Sequence, residues 1–169
     1  MQEHYIIRKA TKADAPQLLS LIKELAIFEK EPNAVEVTVE ELQEDGFGEN
    51  PLFNCFVAEM DSEIVGMALF YFRYSTWKGK TVHLEDLIVK NTYRKKGIGK
   101  ALYKKVLRFA AAEGVKRVEW VVLNWNKNAI DFYEKSGAQV LKDWYLVQMD
   151  ENRICNFGTL QKDQESESL

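Results

Sequence analysis

Cysteine, histidine and proline are scarce in this 169-residue chain, and each scarcity closes off a class of protein. Cys55 and Cys155 stand far apart with no C-x-x-C spacing. Neither a disulfide framework nor a zinc cluster is indicated, and a reducing cytoplasm is the simplest compartment. His4 and His83 supply neither a metal-ligand spacing nor a Ser/His/Asp set, so no metal is expected. Three prolines and nine glycines in a chain that is 46% hydrophobic exclude collagen-like and low-complexity classes. Long apolar runs are absent too. The longest, Ile64 to Phe72, is far too short to span a bilayer, and Met1-Gln2-Glu3-His4 lacks a basic-then-apolar signal. A soluble protein with no targeting segment and no membrane partner is expected. There is no basic surplus either: 23 basic residues against 26 acidic ones give −3, which is no reason to expect nucleic-acid binding.

What is present reads as one globular domain over residues 1–162, followed by a polar, acidic tail at 163–169 that is expected to fray. A strand over Tyr5 to Arg8 precedes Thr11-x-x-Asp14, a capping-box spacing, after which Leu18, Leu21, Ile22 and Leu25 recur at helical intervals. A short helix around Val39 to Asp45 ends at Gly46-Phe47-Gly48. Strands follow over Phe53 to Glu59, Glu63 to Tyr74 and Thr81 to Val89, the first two joined by a hairpin at Met60-Asp61-Ser62. Beyond Gly97 and Gly99 the pattern becomes helical, with Ile98, Leu102, Val106 and Phe109 on one stripe, until Gly114 stops it. Val118 to Leu123 reads as a buried strand, Asn126 to Lys135 as a short helix, and Ala138 to Leu141 and Trp144 to Met149 as strands. The order β-α-α-β-β-β-α-β-α-β-β specifies an α/β fold with a mixed, mostly antiparallel sheet flanked by helices.

The strongest chemical signal is Tyr93-Arg94-Lys95-Lys96-Gly97-Ile98-Gly99-Lys100, between a strand and a helix. A helix start offers unpaired N–H groups and partial positive charge, so this segment reads as an anion cradle. It is not a Walker A loop, because Lys100 is followed by Ala101, and it lacks the third glycine of a dinucleotide fingerprint. From Lys90 to Arg117 ten basic residues face a single acid, Glu113, which suits a ligand carrying several phosphates. Between Glu24 and Asn50 nine acids face Lys30 alone, either as a solvated surface or as a funnel for a cation. Glu85 and Asp86 are adjacent acids inside an apolar strand. Alternation would send them to opposite faces, so at least one should be covered and need a partner or a task. In the helix after Trp125, Asn126, Ile130 and Tyr133 share a face, and Asn126 is a residue type that caps helices. Cys55 reads as a core residue.

Together these segments resemble the GCN5-related N-acetyltransferase (GNAT) superfamily, whose signature Arg/Gln-x-x-Gly-x-Gly/Ala is matched by Arg94-x-x-Gly97-x-Gly99. Within it, the chain is most similar to the diamine (spermidine/spermine) and thialysine acetyltransferases. Ile22-Lys23-Glu24-Leu25-Ala26, Glu44-Asp45-Gly46-Phe47-Gly48, Leu84-Glu85-Asp86-Leu87, Tyr93 to Gly99, and Trp125-Asn126 through Ile130-x-Phe132-Tyr133 carry that likeness. The resemblance implies acetyl-CoA as co-substrate, with its pantetheine arm in a split between parallel strands beside Leu87, Ile88 and Val89. The pyrophosphate would lie on the segment Arg94, Lys95, Lys96, Gly97, Ile98, Gly99 and Lys100, and Asn126 would touch the arm. It implies Tyr133 as the general acid and Glu85 as the group that draws a proton from the amine through water. Phe28, Glu29, Glu85 and Asp86 would line the site of a small cationic amine, and the enzyme would be a homodimer. An alkyl ammonium with a pKa of about 10.4 must lose a proton before attack, which explains the carboxylate. Short connections at Met60-Asp61-Ser62 and Lys142-Asp143-Trp144 weaken the case for a long polyamine, and a shorter diamine or thialysine fits as well. A protein N-terminus or lysine as acceptor, or a non-enzymatic acyl-CoA sensor, are the alternative expectations.

Overall fold

The computed structural model describes residues 4–157, so the polar tail lies outside the described residues. The chain divides into two compact units, Met1–Leu123 and Asn124–Leu169.

The first unit is built on a five-stranded sheet whose spatial order follows the sequence: β1 (Ile6–Lys9), β2 (Asn54–Met60), β3 (Glu63–Ser75), β4 (Gly79–Val89) and β5 (Val118–Glu119). The first four form an antiparallel meander, while β5 runs parallel to β4. Helices α1 (Ala15–Phe28), α2 (Val39–Phe47) and α3 (Ile98–Ala112) stand where periodicity placed them. Side chains alternate across the sheet and feed two cores. On one face Cys55, Val57, Met67, Leu69 and Ile88 pack with Leu18 and Leu21 of α1. On the other, the Phe109 ring of α3 meets Phe56, Phe70 and Phe72 at centroid distances of 6.2, 4.9 and 5.8 Å. Cys55 is buried as expected, and burial pushes its thiol far up.

The single turn Lys12–Asp14 that leads into α1 is secured by more than the Thr11–Asp14 capping box. Asp14 Oδ2 accepts from the Thr11 amide at 2.7 Å and hydroxyl at 3.0 Å, while the Arg8 guanidinium grips both carboxylate oxygens at 2.7 and 2.9 Å. That grip outweighs burial and holds the Asp14 carboxyl down at about 2. A carboxyl depressed on folding stabilises above its unfolded value and loses that contribution as pH falls through its folded one. Asp14→Asn should therefore cost about 2 kcal/mol at pH 7, with the deficit shrinking as pH falls from 4 toward 2. Urea denaturation of both proteins across that range measures it.

Two expected features are corrected. The strand over Val118 to Leu123 is only two residues long and half-buried. Its one strand neighbour among the described residues, β4, stays beside it for just Val82↔Val118 and His83↔Glu119. The strands expected over Ala138 to Leu141 and Trp144 to Met149 are not formed. That segment pairs with no strand among the described residues, and Leu141, Trp144, Tyr145, Leu146 and Val147 are exposed. An alternating pattern makes a strand only where its backbone groups find partners. The second unit instead contains α4 (Lys127–Lys135) and a helical segment at 151–157, whose first turn is held by Asp150 Oδ1 accepting from the Arg153 amide at 2.9 Å. Among the described residues no helix is long and apolar enough to cross a membrane.

Candidate active site

Strand β4, between β3 and the short edge strand β5, carries the site because it breaks the regularity of the sheet. Its register with β3 slips by one residue: Tyr71 faces His83 and Phe70 faces Leu84, but Leu69 faces Asp86. Glu85 is the extra residue of a β-bulge, which bends a strand and increases its twist. The slip comes immediately after the last β4–β5 pair at His83. From Leu84 to Val89 that edge of β4 has no strand partner among the described residues. The backbone of Leu87, Ile88 and Val89 therefore stands at an open edge, as expected for a chain-like ligand that pairs with a strand.

The bulge also overturns the expectation that Glu85 and Asp86 face opposite ways. Asp86 is paired with Leu69, and His83 with Tyr71, so both lie on the α1 face. Glu85 joins them, because its Oε2 accepts from the Tyr71 hydroxyl at 2.8 Å and lies 3.5 Å from His83 Nε2. Glu85 is exposed, whereas Asp86 is half-buried and has no hydrogen-bond or ion-pair partner among the described residues. Burial first, then the charges of Glu85 and Glu29, push the Asp86 carboxyl up to about 7. Glu29 itself is pushed up by partial burial. An unpaired acid held this way binds a cation more readily than a solvated one.

Past the end of β4 the chain makes a single turn, Asn91–Tyr93, and enters α3 through Gly97 at φ +83°. That left-handed conformation suits glycine. No side chain caps α3, so the first amides of the helix, Ile98, Gly99 and Lys100, are available to an anion. Lys95 also has positive φ, 64°. Arg94 Nε donates to the Val89 carbonyl at 3.0 Å, and its guanidinium lies 5.3 Å from the centre of the Phe28 ring. The signature arginine thus ties the end of β4 to the end of α1. Glu24 does the same from the helix, accepting from the Asn91 amide at 3.0 Å.

The two charged segments are sorted by these contacts. Lys90 pairs with Glu63 and Arg117 lies against Glu119, so both are used outside the cradle. Among the acids, Glu41 completes a capping box with Thr38 at the start of α2 and Glu24 holds the post-β4 turn. Glu29 is the member of that acidic run whose charge bears on Asp86. In the second unit Asn126 caps α4, its side chain accepting from the Ala129 amide at 3.3 Å, and Tyr133 is buried beside Phe132.

In the sequence His83 has no metal-ligand or Ser/His/Asp spacing, and Tyr71, Arg73 and Glu119 belong to no motif. In the structure Arg73 Nη1 lies 3.0 Å from His83 Nδ1 and 2.9 Å from Glu119 Oε1, and the Tyr71 and His83 rings stand 5.3 Å apart. A signal existed: folding the two strands about a turn near Trp77 puts Tyr71 opposite His83.

A bulged strand parting from its parallel neighbour, followed directly by an uncapped glycine helix start and flanked by the unpartnered Asp86 carboxylate, fits the α/β acyltransferase architecture that the resemblance implies. A family model described as the acetyltransferase (GNAT) family matches residues 18–138, and the chain belongs to that family; it is an acetyltransferase. It is 44% identical over 156 residues to the thialysine N-epsilon-acetyltransferase of Bos taurus, covering 86% of this chain and 92% of that protein. The Caenorhabditis elegans thialysine N-epsilon-acetyltransferase is 39% identical, covering 92% and 98%. Among solved structures, an aminoglycoside N-acetyltransferase in complex with CoA shares the fold, with a TM-score of 0.69 at 19% identity, covering 86% of this chain and 95% of that one.

Proposed function

We propose that this enzyme transfers an acetyl group from acetyl-CoA to a primary amine of a small acceptor that carries a second positive charge, such as thialysine or a short diamine. The cluster of Glu85, Asp86 and Glu29 carries this reading, because it gathers carboxyl groups to which no lysine or arginine among the described residues is paired. The names of the similar enzymes favour it over a protein acceptor or a non-enzymatic sensor. The reading keeps a cytoplasmic location and a homodimeric assembly.

The open edge of β4 and the uncapped start of α3 fit a ligand with an amide-bearing arm and a pyrophosphate. Leu87, Ile88 and Val89 would pair with the arm, Asn126 would contact it, and the segment from Arg94 to Lys100 would hold the phosphates. When bound, acetyl-CoA supplies the activated acetyl thioester. The protein manages protons and charge around it. Asp86 and Glu29 hold the distal cation of the acceptor, with Phe28 at the wall of its site. Glu85 takes the proton of the attacking ammonium through water, and Tyr133 gives its hydroxyl proton to the departing thiolate.

Release of CoA thiol measured over putrescine, spermidine, spermine, thialysine, lysine and aminoglycosides tests the acceptor. We expect kcat/KM to be highest with thialysine or a short diamine. Silence across the whole set would sink the small-amine reading.

A further inference from the structure

On the α1 face of β4, His83 is a buried titratable group that the chemistry above does not use. His83 is 8% exposed and sits among four functional side chains on three strands: Tyr71 and Arg73 of β3, Glu85 of β4 and Glu119 of β5. Its hydrogen-bonding state follows from its partners. A guanidinium has donors and no acceptor, so at 3.0 Å from Arg73 Nη1 the His83 Nδ1 must present its lone pair. The ring hydrogen then resides on Nε2, which faces Glu85 Oε2 at 3.5 Å. The same carboxylate oxygen receives the Tyr71 hydroxyl at 2.8 Å. Among the described residues Glu85 Oε1 has no such contact.

We propose that His83 is a positioning residue for Glu85: locked by Arg73 as the neutral Nε2–H tautomer, it works with Tyr71 to occupy Oε2 and leave Oε1 for water and the acceptor amine. This rests on the reading of Glu85 as the proton acceptor. The arrangement explains why a histidine should sit here uncharged. An imidazolium would put positive charge beside a pocket that collects cations and would weaken Glu85 as a base. Protonation at Nδ1 would also set one N–H against another from Arg73. Glu119 pairs with Arg73 at 2.9 Å, offsetting the guanidinium charge at the far side of the ring. Burial is the main cause that lowers the His83 pKa, and Arg73 adds to it, while Glu85 and Glu119 act in the opposite direction.

The test uses the full-length protein labelled with nitrogen-15. The chain has two histidines, so a His4→Gln variant assigns the ring signals. We expect His83 to show the neutral Nε2–H pattern from pH 6 to 8, and Arg73→Met to let it gain a proton in that range. Arg73 is half exposed, so the variant should fold. In steady-state assays His83→Phe should lower kcat with the amine about tenfold or more, leaving the KM for acetyl-CoA unchanged. His83→Gln, whose amide can donate toward Oε2, should recover most of that loss. An Nδ1–H tautomer or an imidazolium at pH 7 would overturn the proposal, as would wild-type kcat in His83→Phe while Glu85→Gln is impaired. Wild-type kcat in Glu85→Gln removes the base itself and the proposal with it.

Discussion

Tyr133→Phe should turn over about 10² to 10⁴ times more slowly than the parent enzyme while binding acetyl-CoA as tightly. The substitution deletes one oxygen and keeps the ring that stands 5.3 Å from Phe132 in α4, so the helix should be undisturbed. Loss of a general acid has a further signature. A donor thioester whose thiol is more acidic needs less help from a proton, so the penalty should shrink with such donors. Steady-state rates with acetyl-CoA and with one such donor, alongside thermal denaturation, measure both effects. Equal turnover in the two proteins would remove Tyr133 from the mechanism.

Asp86→Asn should weaken the acceptor and strengthen the fold. A carboxyl raised to about 7 favours the folded state while protonated and opposes it once ionised, so its destabilising effect grows from pH 4 and is complete above 7. Asparagine should thus stabilise the protein by about 2 kcal/mol at pH 8, a gain that closes toward pH 4. Function should move the other way. In the parent, the amine KM should fall as pH rises through 7 and Asp86 ionises; in the variant it should be at least about tenfold higher and flat across that range. A variant both less stable and kinetically unchanged at pH 8 would show that Asp86 is a structural acid. A residue whose removal improves the fold and harms the reaction is one retained for activity.

These outcomes bear on what the sequence made legible. Local patterns placed the first nine of the expected elements within a few residues because capping at Thr11 and Thr38, the Asp61-Ser62 turn, and the helical stripe from Ile98 to Phe109 are decided by near neighbours. The length of β5 was the exception among them. It depends on whether β4 stays alongside, which one strand's composition cannot state. The trailing strands are absent for a related reason, since an alternating segment becomes a strand only when another strand pairs with it. At the site, the cradle was legible because its glycines and bases are contiguous. The shared face of Glu85 and Asp86 was not, because a bulge is a property of two strands in register. His83 looked solitary because its partners lie up to 36 positions away, at Glu119.

A site of this kind can arise from a regular strand by one inserted residue. Upstream of Glu85 the strand keeps the two-residue rhythm that feeds both cores, and downstream it keeps the same rhythm in shifted phase, so Leu84 packs toward α3 and Ile88 toward α1. The core-forming code is intact on either side of a single out-of-step residue. What separates a closed, inert sheet from one with an opening is therefore a change the size of one codon, and stability and activity are written in separable parts of the same strand.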